Sequence, residues 1–133
     1  MQLELLSTVH AVCRLGAGSE LPGWAAGDDA PEGGVIAITR SGQELSIVAP
    51  ETLVPENLER SGGWRALRVS GTLDHGMTGV LASLAAPLAE AAIPIFAIST
   101  FDTDYLLVPE RGLGAAIRAL RVAGHELADP EAR

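Results

Sequence analysis

Lysine is absent from this 133-residue chain; all nine basic residues are arginine. No Schiff-base lysine, P-loop lysine or kinase-type catalytic lysine can come from it. Cysteine is almost as scarce. The single Cys13 excludes an internal disulfide and a thiolate zinc cage, and it fits a reducing cytoplasm. Set in a strand-like run, it reads as a small buried hydrophobe. Nine basic residues face 17 acidic ones, for a net charge of −8. With no basic cluster to offset that balance, nucleic acid is not an expected partner. The opening Met1-Gln2-Leu3-Glu4 lacks the positive n-region of a signal peptide. The one long apolar run, Val80–Ile98, is interrupted by Ser83, Pro87, Glu90 and Pro94. A glutamate at mid-bilayer is costly, so that run reads as a helix followed by a buried strand, and no membrane partner is expected.

What is present is ordinary globular material, 47% hydrophobic and 20% charged. The length suits one domain, or two small halves sharing a core. Partial alternation over Leu3–Leu15 suggests a strand. Gly16–Gly34, rich in Gly, Pro and acids, reads as a loop with at most one helical turn. Gly34–Arg40 and Glu44–Ala49 flank Ser41-Gly42-Gln43 as a hairpin. Pro50–Arg60 resembles a short helix broken by Ser61-Gly62-Gly63, and Trp64–Ser70 reads as a strand.

The second half carries clearer periodicity. Val80, Leu81, Leu84, Leu88 and Ala91 mark a helix over Gly79–Ala92, where Pro87 should kink or disturb the fourth turn. Pro94–Thr100 and Tyr105–Val108 form strands around an Asp102–Asp104 turn. Gly112–Val122 is a second helix ended by Gly124, and His125–Leu127 adds an edge strand. From Trp64 the order is therefore β-α-β-β-α-β. This is an α+β, ferredoxin-like arrangement, an antiparallel sheet with both helices on one face. The first half gives a weaker copy. Ala37-Ile38-Thr39…Ile47-Val48-Ala49-Pro50-Glu51 recurs in outline as Ala97-Ile98-Ser99…Leu106-Leu107-Val108-Pro109-Glu110. In both, a hairpin runs into Pro-Glu, a pair suited to a helix start.

The segment from Ser70 to Ala82, with Asp74, Gly76, Met77, Thr78 and Gly79, joins a strand end through a glycine-bearing loop to a helix start. A carboxylate placed there would gain free N–H groups and the helix dipole. Equally, Thr78 would merely cap the helix and Gly79 permit close packing. Chemistry alone leaves both readings standing.

These residues resemble the ACT domain. The pattern Asp74…Gly79-Val80-Leu81-Ala82, followed by Leu88-Ala89-Glu90-Ala91-Ala92-Ile93-Pro94-Ile95, is similar to that family's polar loop, helix-opening Gly and helix end. The run Ile98-Ser99-Thr100-Phe101-Asp102-Thr103-Asp104-Tyr105-Leu106-Leu107-Val108-Pro109-Glu110 resembles small ACT proteins related to the CASTOR arginine sensors and to aspartate-kinase regulatory domains. The chain departs from the pattern in having Pro87 inside the first helix and no catalytic domain attached. On this resemblance, residues 1–63 form a degenerate ACT-like half, 64–128 an ACT domain and 129–133 a frayed tail. The resemblance implies a non-catalytic regulatory module that binds a free amino acid between ACT units, with no cofactor. Its loop contacts would be Gly76, Met77, Thr78 and Gly79. On the strand side, Ser99, Thr100, Phe101 and Asp104 would serve. Asp104 would pair with a basic ligand side chain, and Phe101 would cover its aliphatic stem. Asp102 and Asp104 also suit a plain polar hairpin tip.

Two other classes compete. A structural module that only assembles is one, since ACT-like sheets leave strand edges to cover, and a homodimer is expected with or without ligand. An enzyme built on Asp74, His75, Asp102 and Asp104 is the other. It matches no metal-ligand spacing, and no Gly-x-Ser-x-Gly elbow is present. His10 and His125 are expected as ordinary edge or surface residues. A cytoplasmic amino-acid sensor acting on an unidentified protein effector is the reading the residues favour.

Overall fold

The alternating apolar residues at the start of the chain form a 14-residue strand, β1 (Gln2–Leu15). The computed structural model describes residues 1–27, 31–71, 73–74 and 76–128. After β1 come β2 (Ala37–Arg40), β3 (Leu45–Pro50), β4 (Glu59–Val69), α1 (Val80–Glu90), β5 (Phe96–Ser99), β6 (Asp104–Pro109), α2 (Leu113–Val122) and β7 (Glu126–Leu127). The expected tail, 129–133, lies outside the described residues. Two compact units emerge: Ser7–Trp64, and Met1–Leu6 together with the chain from Arg65. Strands β1 and β4 each give residues to both.

In the unit Ser7–Trp64 the strand order is β2-β3-β1-β4. β3 lies antiparallel to β1, with Cys13 opposite Ile47 and His10 opposite Pro50. Apolar residues at alternate positions, Ala11 and Cys13 with Leu45, Ile47 and Ala49, fill its core. Short 3₁₀ turns at Gly23–Ala25 and Glu51–Leu53 are the helical segments among its described residues. The expected helix over Pro50–Arg60 is therefore one turn only. Ser61-Gly62-Gly63, expected as a break, lies inside β4. Strand pairing overrides the local propensity of the two glycines here. His10 is fully buried rather than at an edge, and its Nε2 accepts the Val35 N–H at 3.0 Å.

The other unit runs β1-β4-β6-β5, with β7 beside β1. Here β1 enters a sheet that the bare βαββαβ pattern would build from β4 to β7 alone. β7 pairs parallel to it, Gln2 opposite Glu126. Leu3, Leu5, Leu67, Val69, Leu106 and Val108 point to one face, and Leu84 and Leu88 of α1 with Ala116 and Leu120 of α2 pack on it. Each leucine buried there contributes about 1.5–3 kcal/mol. Both helices thus cover one face of an antiparallel sheet, the ACT arrangement.

Both helices stop in the same way. In α1 the Ile93 N–H reaches back to Leu88 O at 2.9 Å and Ala92 N–H to Ala89 O at 3.0 Å. In α2 the His125 N–H reaches Leu120 O at 3.0 Å and Gly124 N–H reaches Arg121 O at 3.0 Å. These are Schellman closures, which need a left-handed residue. Gly124 supplies it with φ 98°, whereas α1 uses Ala92 at φ 59°.

Pro87 does not end or interrupt α1, which continues to Glu90. Its missing N–H would have bonded the Ser83 carbonyl. Instead His125 Nε2 lies 2.9 Å from that carbonyl and its Nδ1 lies 3.1 Å from the Met1 amino nitrogen. A carbonyl only accepts and an ammonium only donates, so one neutral tautomer, protonated on Nε2, serves both. His125 is buried at 8% exposure, not a surface residue, and it repairs the defect that the proline creates.

Candidate functional site

The loop after β4 and the β5–β6 turn meet in the second unit and enclose a cleft of about 160 Å³. Its wall is made by Asp74, Met77 and Val80 on one side and by Thr100, Phe101, Asp102 and Asp104 on the other. Three backbone and side-chain devices fix this geometry. The Leu73 N–H donates to Asp102 O at 2.6 Å, tying loop to turn. The turn closes on itself, with Thr100 N–H donating to Thr103 O at 2.8 Å and Thr103 N–H to Thr100 Oγ1 at 3.2 Å. Buried Thr103 then donates its hydroxyl to Val69 O at 2.8 Å, anchoring the turn to the end of β4.

The loop side is shaped by an Asx turn. Asp74 Oδ1 accepts the Gly76 N–H at 2.9 Å, and Asp74 O accepts the Met77 N–H at 3.0 Å. The helix then opens from Gly79 in the left-handed region, φ 75°. Glycine takes that conformation without the strain a Cβ adds. No side chain caps α1, so Thr78 is not its cap. The first N–H groups of α1 start where Val80 lines the cleft.

Of the residues singled out from sequence, Met77, Thr100, Phe101 and Asp104 come together in the cleft wall. Gly76, Thr78 and Gly79 are exposed in the loop behind it. Ser99 is not in the wall but bonds a residue that is. It stands opposite Asp104 across the hairpin and donates its hydroxyl to Asp104 Oδ1 at 2.6 Å. Among the cleft-lining residues, sequence reasoning did not single out Leu73, Asp74, Val80, Asp102 and Thr103 as ligand contacts. Three carboxylates spaced at 74, 102 and 104 were the available signal, since the hairpin returns the last two to the loop holding the first. His75, the fourth member of the enzyme alternative, lies outside the described residues. Among the described residues no group of three or more His, Cys, Asp or Glu is arranged to hold a metal ion. No helix among them is long and apolar enough to cross a membrane.

The ACT-domain profile matches residues 59–122, which span β4, α1, both hairpin strands and α2. Residues 59–122 form an ACT domain. A further profile, for an N-terminal domain, matches residues 8–57, the region before the ACT domain. Over 59 residues, 44% of its length, the chain is 44% identical to the human cytosolic arginine sensor for mTORC1 subunit 1. That match spans only 18% of the sensor's length. A crystal structure of an Agrobacterium tumefaciens protein is similar over 96% of this chain and 91% of its own, with 34% identity and a TM-score of 0.86. The ligand-free regulatory subunit of aspartate kinase from Thermus thermophilus shares the fold, at 16% identity and TM-score 0.64 over 92% of this chain and 96% of its own.

Proposed function

We propose that this chain is a non-catalytic regulatory module that binds a free amino acid with a cationic side chain in the cleft between the 73–80 loop and the 100–104 turn. The observation that carries this reading is the charge of the wall. Asp74, Asp102 and Asp104 line it, and among the described residues no basic side chain does. Asp104 is the residue for the cation, because the Ser99 hydroxyl holds one carboxylate oxygen and orients the other. Phe101, 80% exposed beside it, covers the aliphatic stem of the ligand. The ligand's own carboxylate takes the uncapped first N–H groups of α1, with Gly76, Met77, Thr78 and Gly79 shaping the approach. The similarity to an arginine sensor supports a basic amino acid as ligand.

A cleft of about 160 Å³ is small beside the roughly 300–1,000 Å³ of closed ligand sites. The missing wall is supplied by another ACT unit, so that ligand stabilises one mutual arrangement of units and biases contacts with a protein effector in the cytoplasm. No cofactor takes part.

A thermal-shift screen over the free amino acids tests the reading. Arginine or lysine at a hundredfold excess over Kd adds about 2.7 kcal/mol to stability. Asp104→Ala removes the preference for basic over neutral amino acids. A flat response to every amino acid, or unchanged selectivity in that variant, overturns the proposal.

A further inference from the structure

On the outer side of α1 and α2, away from the sheet, the two helices leave a groove of about 540 Å³ that shares no residue with the cleft. The same spacing recurs on both sides, Ala86, Glu90 and the following Ala91 at the end of α1, and Arg118, Val122 and the following Ala123 at the end of α2. The alanines keep the walls low, so that another helix pair can approach closely. Val122 stands 89% exposed on the rim. Glu90 and Arg118 bring opposite charges to this one patch, and among the described residues neither joins an ion pair.

We propose that this groove is the contact face of a homodimer, in which α1 of one copy packs on α2 of the other about a two-fold axis running along the groove. An isologous interface requires one patch to complement itself. A patch carrying one acid and one base on facing helices does so, because the two-fold sets Glu90 against the partner's Arg118 twice over. At a net charge of −8 two copies repel in most orientations, and paired opposite charges select this one. Val122 is then withdrawn from water at the rim. The inference does not rest on the amino-acid reading.

Sedimentation of the full chain from micromolar to millimolar concentration tests it, with circular dichroism to verify folding. The wild type shows a concentration-dependent dimer. Glu90→Arg and Arg118→Glu each weaken it about tenfold, because each turns two attractions into repulsions. Mixing the two single variants restores association, since each then meets its complement, and the double variant E90R/R118E self-associates again. Val122→Asp abolishes the dimer through burial of a charge. A chain that stays monomeric throughout, a dimer indifferent to these substitutions, or single variants that fail to rescue each other would overturn the proposal.

Discussion

His125 and Pro87 should be energetically coupled although 38 positions separate them in the chain. Pro87 deprives the Ser83 carbonyl of its helical donor, and the His125 ring replaces that donor at 2.9 Å. Replacing His125 with Ala leaves the carbonyl without a protein partner, a loss of about 1–3 kcal/mol for a buried group. Ser83 is itself exposed, so water can approach, which sets the carbonyl's share near the low end, about 1 kcal/mol. Pro87→Ala restores an N–H at the correct position and removes a ring clash, for a gain of up to about 3 kcal/mol. In that background His125→Ala costs about 1 kcal/mol less than in the wild type, because the carbonyl already has its helical bond. Urea denaturation of the four proteins, followed by far-ultraviolet circular dichroism, measures the cycle. Each kcal/mol also moves Tm by about 4 °C in a chain of this size. A coupling energy below about 0.3 kcal/mol would refute the idea that the histidine compensates for the proline.

Three further outcomes follow from the same structure. Ala92→Gly raises stability by about 0.5–1 kcal/mol, since φ 59° at Ala92 strains a Cβ that glycine lacks; thermal denaturation reads it, and a loss of stability would count against the Schellman closure of α1. Ser99→Ala weakens arginine binding several-fold while leaving neutral amino acids unaffected, a contrast that calorimetry resolves. Burial pushes the Cys13 thiol above its ordinary 9.0, partly offset by a backbone hydrogen bond involving Ile47. The proton is therefore held more tightly in the folded state, so this group's contribution is complete below the unfolded pKa. It is lost as pH rises from there through the raised folded value. Alkaline destabilisation in that window should diminish in Cys13→Ala, and native Cys13 should resist alkylation at neutral pH.

The helices of the second unit were legible because their apolar stripes, Leu84 with Leu88 and Ala116 with Leu120, repeat at the helical period. The hairpins were legible for a similar reason, since Pro50-Glu51 and Pro109-Glu110 end strands of matching length. What escaped depends on contacts distant in sequence. Nothing local to Ser61-Gly62-Gly63 signals a strand; pairing along β4 decides it. Nothing local to His10 or His125 signals burial, because their partners, Val35 and Ser83, lie 25 and 42 residues away. In the cleft, family pattern named the loop and Thr100, Phe101 and Asp104. Asp74 and Asp102 are brought together beside the Leu73–Asp102 backbone bond, a contact distant in sequence.

The ownership of β1 has a consequence for dissecting the molecule. Its first residues lie in the unit that begins again at Arg65, and Leu3 and Leu5 sit in the core beneath α1 and α2. A fragment cut at the midpoint of the sequence would carry every helix and still lack a wedge of its own interior. Autonomy here follows the winding of the chain rather than its linear halves, and complementation by an added N-terminal peptide, not truncation, is the natural way to take the protein apart.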